Sequence, residues 1–266
     1  MNRPLFVISA LLFAIAAPAQ DWAKARIEKS PRHHEWVNVK HGDREVNCFI
    51  TYPEVKDKAT AVIVIHEIFG LSDWARSMTD ELAEAGYIAI APDLLSGSAQ
   101  GGGGTAELIK GGAEVGQAIR KLPPEQITAD LNAVADYVGK LPSCDGKVAV
   151  AGFCWGGSQS FRFATNNKDL KAALVFYGSG PEQDDEIARI KSPVYGFYGG
   201  NDNRVTSTVA KSAELMKKAG KTYEPKTYDG AGHGFMRAGE APDASEPNKK
   251  ARDEAWTRIK DLLKKL

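Results

Sequence analysis

The sequence predicts an α/β fold with a mostly parallel central sheet and helices on both faces. Three features carry that expectation. Runs such as AVIVIHE and KVAVAG are apolar and β-branched without alternation, as in strands buried on both faces. Amphipathic stretches with their own start and stop signals separate those runs, as crossover helices do. One alternating pair, WVNVK and EVNCFITYP around an HGD turn, reads as an antiparallel hairpin at a sheet edge.

The 266 residues suit one large α/β domain or two small ones, and a single domain spanning 20–266 is expected. Residues 1–19 read differently: Arg3, then an apolar run over 5–17, then APA before Gln20. That is the pattern of a secretory leader cleaved after Ala19; a retained membrane anchor is the rival reading, against which the run is short for a span, which needs ~20 residues. Export to a periplasm or the outside is therefore expected, with no membrane contact once the leader is gone. Basic and acidic residues balance at 34 each, which removes any bulk electrostatic case for nucleic acid.

A polar lead, DWAKARIEKSPRHHEW, precedes the hairpin, and its neighbours His33 and His34 read as solvated. After the AVIVIHE strand, SDWARSMTDELAEAG has a Ser N-cap and a Gly stop and reads as a helix, followed by the strand YIAIAPD. The stretch 95–116 contains SGSAQGGGG and reads as a mobile surface loop over the site; it lacks the Gly-Lys-Ser/Thr ending of a phosphate loop. PPEQITADLNAVADYVGKL is a helix, KVAVAG a strand, and GGSQSFRFAT the helix that follows. KAALVFYG, SPVYGFYGG and YEPKTYD are further strands. STVAKSAELMKKAG and NKKARDEAWTRIKDLLKKL are the remaining helices.

Three cysteines are present, Cys48, Cys144 and Cys154. An oxidising compartment allows a Cys48–Cys144 bridge that leaves Cys154 free, and nothing in the spacing suits zinc.

Cys154 stands in GFCWGG, directly after a strand. Glycines on both sides let a strand-to-helix turn close without Cβ clashes, which is the nucleophile-elbow pattern with Cys in place of Ser. A helix N-terminus beneath the thiol favours the thiolate. The competing reading is a structural cysteine in a tight turn. A nucleophile needs a base, and the base an orienter. Asp202, in YGGNDNRV, and His233, in YDGAGHGF, each follow their own strand. The order Cys, Asp, His is that of an α/β-hydrolase triad, and the fold expected is accordingly the α/β-hydrolase fold. Oxyanion donors would be the backbone N–H groups of Trp155 and of Ile68 in HEIFG.

HEIFG, GYIAIAPDL, GFCWGG, YGGNDNRV and AGHGF together resemble the dienelactone hydrolase family from about Trp36 to the C-terminus. The resemblance implies hydrolysis of an ester or lactone without metal or organic cofactor, with Cys154, Asp202 and His233 as the triad. It implies that Glu67 tunes the thiol's ionisation and that Arg237 lies near that glutamate and the substrate. Two readings of Glu67 stand: acceptor of the thiol proton, or salt-bridge partner of Arg237 with no proton role. Two family residues are absent: Gly97 stands where the family has an Arg, and Gly234 where it often has a Ser. Both hold the substrate's carboxylate in the family, so a weaker preference for carboxylated lactones is expected here. A non-catalytic or thiol-redox protein on the same scaffold is the alternative function, and the oligomeric state is open.

Overall fold

A computed structural model describes residues 20–266; the expected leader, 1–19, lies outside them. Eight strands form one sheet: β1 (His34–His41), β2 (Arg44–Thr51), β3 (Ala59–Ile65), β4 (Ile88–Pro92), β5 (Cys144–Phe153), β6 (Ala172–Phe176), β7 (Val194–Gly199) and β8 (Tyr223–Tyr228). Their order is β1-β2-β4-β3-β5-β6-β7-β8. The β1–β2 and β2–β4 pairs are antiparallel, and every other pair is parallel. The expected edge hairpin and buried parallel strands are both present.

Among the described residues ten helices flank the sheet: α1 (Asp21–Lys29), α2 (Asp73–Glu84), α3 (Thr105–Lys110), α4 (Val115–Arg120), α5 (Pro124–Gly139), α6 (Trp155–Asn166), α7 (Asp184–Arg189), α8 (Asn203–Lys218), α9 (Phe235–Ala238) and α10 (Glu246–Leu263). Period-2 alternation along the central strands sends side chains to both faces. From β3, Ile63 and Ile65 join a core with Leu131 of α5, Phe161 of α6, Ile187 of α7 and Leu215 of α8. Val62 and Val64 point the other way, toward Trp74 and Met78 of α2, Phe235 of α9 and Ile259 of α10. Two apolar faces on one strand explain why its sequence is a continuous hydrophobic run. Among the described residues no helix is long and apolar enough to cross a membrane.

Several local expectations change. The polar lead forms α1, whose only buried residue is Ala23. Ion pairs hold it: Arg26 reaches Glu240 at 2.9 Å and Glu81 at 3.6 Å, and Arg252 of α10 bonds the same two carboxylates. His34 is not merely solvated, since its Nε2 lies 3.0 Å from the buried carboxylate of Asp80, which also takes Arg32; His33 is exposed. The stretch read as a mobile loop folds into α3 and α4. Asp93 accepts hydrogen bonds from the Thr105 backbone N–H and hydroxyl at 2.7 and 2.8 Å, and the Glu107 carboxylate caps the Gly104 N–H at 2.9 Å. Those caps anchor the glycine run, and Leu95, Leu108 and Ile119 pack over Ile68 and Trp155.

Cys48 and Cys144 are both free and buried, so the bridge considered from sequence is absent. Strand order explains it. Strands β4 and β3 lie between β2 and β5, a span of about 14 Å at ordinary strand spacing, twice the reach of a disulfide at ~7 Å.

Candidate active site

Parallel strands deliver their following loops to one rim, where ligand sites of open α/β sheets form. Glu67 and Ile68 follow β3, Cys154 follows β5, Asp202 follows β7 and His233 follows β8. The sheet thus gathers at one rim all the site residues expected from sequence.

At the elbow, Cys154 takes φ 57° and ψ −117°. A non-glycine residue in that region is strained, which is how the nucleophile-elbow turn exposes its side chain. The backbone N–H of Cys154 bonds Phe176 O at 3.0 Å, so the turn is pinned to β6. Close approach explains the flanking glycines. A Cβ on Gly156 would stand 2.4 Å from the carbonyl oxygens of Ile65 and His66, and one on Gly152 would meet the Gly156 carbonyl at 1.9 Å. Helix α6 therefore starts tight against β3, with its N-terminus beneath the thiol.

The thiol faces an imidazole: His233 Nε2 lies 3.1 Å from Cys154 Sγ. On its other edge His233 donates from Nδ1 to Asp202 Oδ2 at 2.5 Å. That carboxylate is 6 % exposed. The two loops are tied together, because Asn201 donates from its backbone N–H to Ala231 O and from its amide to Gly230 O. Asn248 of α10 accepts the Gly232 N–H at 2.9 Å. Burial lowers the tendency of His233 to hold a proton, yet hydrogen bonds and charge from Cys154 and Asp202 outweigh it, so its pKa sits above the ordinary value.

Glu67 is 3 % exposed and accepts from Arg237 Nε at 2.7 Å. Arg237 also lies over the Phe69 ring, 5.1 Å from its centre. Burial pushes the Glu67 carboxyl upward while Arg237 and His233 pull it back toward the ionised form. Glu67 is thus paired with Arg237 in this structure. Among the described residues, the backbone N–H groups of Trp155 and Ile68 have no hydrogen-bond acceptor. Trp155 stacks on His66 with ring centres 5.5 Å apart, which fixes the wall beside the thiol.

Gly97 has φ 77° and faces the Arg44 guanidinium, which is itself bound to Asp130 and to the carbonyls of Leu94 and Ser96. Gly234 has φ 75°, and a Cβ there would stand 3.6 Å from the Arg237 guanidinium and 3.7 Å from Glu67 Oε1. Both glycines occupy left-handed backbone, so neither position readily takes the side chain found in the family.

Sequence reasoning missed Tyr177. It follows β6 with φ 40°, is buried, and packs edge-on against His233 with ring centres 5.1 Å apart. Its place at the end of a parallel strand was the available signal. Arg204, two residues past Asp202, was missed as well, and its Nη2 lies 3.4 Å from His233 Nδ1.

The chain resembles known proteins over most of its length. The model of the Dienelactone hydrolase family matches residues 46–266. A Salmonella typhimurium protein named "Putative carboxymethylenebutenolidase" is 32 % identical, over 72 % of this chain and 73 % of its own length. A protein of the same name from Methylorubrum extorquens is 28 % identical, over 86 % of this chain and 79 % of its own. The crystal structure of a "Putative Dienelactone Hydrolase" from Klebsiella pneumoniae superimposes with a TM-score of 0.74 at 25 % identity, covering 88 % of this chain and 99 % of that one. With the α/β-hydrolase sheet in place and the family match running from within β2 to the C-terminus, the chain belongs to the dienelactone hydrolase family of carboxylic ester and lactone hydrolases.

Proposed function

We propose that Cys154, His233 and Asp202 act as nucleophile, base and orienter in hydrolysis of a small ester or lactone, and that residues 1–19 direct the enzyme out of the cytoplasm. The observation that carries the first part is the continuous chain from Sγ through the imidazole to a buried carboxylate, at 3.1 and 2.5 Å. In the proposed reaction the thiol proton passes to His233 Nε2 and sulfur attacks the carbonyl carbon. The carbonyl π pair moves to oxygen, where the Trp155 and Ile68 N–H groups receive it. Collapse breaks the bond to the leaving oxygen, which takes the proton back from Nε2. Water then attacks the thioester with His233 as base, releasing the acid and restoring the thiol. Asp202 holds the tautomer that leaves Nε2 facing sulfur. Glu67, held by Arg237, acts on the thiol through its field and not as a proton acceptor. The reaction as drawn calls on no metal or organic cofactor.

The test is hydrolysis of p-nitrophenyl esters and small lactones by residues 20–266, beside Cys154→Ala. Wild-type turnover and a loss on the order of 10⁴-fold in the variant are expected. A variant within about tenfold of wild type would remove Cys154 from the mechanism.

A further inference from the structure

The contact between Arg204 and His233 is not a hydrogen bond. The ring's Nδ1 already donates its proton to Asp202, and a guanidinium has no lone pair to accept one. A cation at that edge works against the imidazolium that the reaction must form. Among the described residues no carboxylate lies within salt-bridge distance of Arg204, and it is exposed beside the His233 ring. Two other arginines of this region are engaged: Arg237 with Glu67, and Arg44 with Asp130. Arg204 is therefore a cation beside the reacting ring that makes no direct ion pair, although the Asp202 carboxylate lies on the same imidazole edge.

We propose that Arg204 is a specificity residue that receives a carboxylate carried on the leaving-group half of the substrate. The inference rests on the triad reading above. The leaving oxygen must reach His233 Nε2 to be protonated, so the leaving half lies along the imidazole, and Arg204 flanks that same ring. The carbonyl oxygen is directed elsewhere, to the N–H groups of Trp155 and Ile68. This location differs from those of Gly97 and Gly234, where the family's anion-binding side chains are absent. A bound carboxylate would also neutralise Arg204 and relieve its opposition to imidazolium formation. The matching substrate would thus gain in kcat as well as in KM. The charged and titratable groups acting on His233 are Cys154, Asp202, Glu67 and Arg204, with the Tyr177 phenol packed on its face; only Arg204 among them is free to pair with an incoming anion.

The experiment compares three probes: 4-acetoxybenzoate, with the charge on the leaving half; its methyl ester, which is neutral; and monophenyl succinate, with the charge on the acyl half. Because Arg204 is exposed and screened, the expected change is modest. Arg204→Gln should lower the kcat/KM ratio of 4-acetoxybenzoate to its methyl ester by about threefold to tenfold. Arg204→Lys should keep part of the ratio, and raised ionic strength should erode it in wild type. The ratio of monophenyl succinate to the neutral ester should stay fixed. An unchanged ratio in Arg204→Gln, or equal losses on both charged probes, would overturn the assignment. Failure of the triad reading looks different: Cys154→Ala would keep hydrolysing all three, and the Arg204 ratio would still be readable.

Discussion

Strand β5 has a cysteine at each end. Cys144 opens it, buried, accepting the Gly146 N–H at 3.4 Å, with no imidazole in contact. Burial raises that thiol's pKa and keeps it protonated. Cys154 stands just past the other end, in strained backbone at the N-terminus of α6 and 3.1 Å from His233. The residue type is the same and the strand is the same. The difference is the direction of the chain. In a parallel sheet, helix N-termini and the loops after neighbouring strands collect at the C-terminal rim. A thiol there meets a helix dipole and the residues that follow β3, β7 and β8. A thiol at the opposite end meets packing and the backbone of its own turn.

The largest effect is expected at Asp202, the proposed orienter. Asp202→Asn should leave the fold intact and lower kcat by about 10⁴-fold, because Nδ1 no longer has a carboxylate to fix its tautomer. Steady-state kinetics on a neutral ester reads this directly, and a loss under about tenfold would contradict it. The same variant has a pH signature. His233 has a raised pKa in the folded protein, so its contribution to stability is complete below about pH 6.5 and is lost as pH rises through the folded value. Removing the Asp202 charge lowers the folded value, so that loss should occur at lower pH in denaturant titrations run across pH.

A smaller effect comes from the glycine that seats the helix. Gly156→Ala places a methyl group 2.4 Å from two backbone oxygens that cannot rotate away. The expected cost is about 1–3 kcal/mol of stability, seen as a lower denaturation midpoint, with reduced turnover because α6 shifts under Cys154. The smallest effect sharpens the comparison from the other end. Cys144→Ala should cost about 1 kcal/mol for lost buried volume and leave kcat unchanged.

The rim was legible in the sequence for the reason that distinguishes the two cysteines. Buried strands announce themselves as apolar runs, and the residue after each run falls at the rim. Cys154, Asp202 and His233 were therefore placed from local pattern and chain order, and Glu67 from the resemblance to the family. What was not legible depends on distant partners. Helix α1 buries one alanine and is held by Arg26 pairing with Glu240, 214 positions away. Helix α3 is anchored by Asp93, which lies 12 positions before Thr105. Arg204 was in plain view in YGGNDNRV, but only the fold brings its guanidinium to the imidazole.

The central claim is that sulfur at the C-terminal end of β5 is the atom that becomes acylated. Rapid quenching of the wild-type protein with p-nitrophenyl acetate, followed by proteolysis and mass spectrometry, reads that atom directly. An acetyl group is expected on the peptide carrying Cys154 during the p-nitrophenol burst, and none on the peptides carrying Cys48 or Cys144. An acetyl group on another residue, or a burst with Cys154 unmodified, would contradict it.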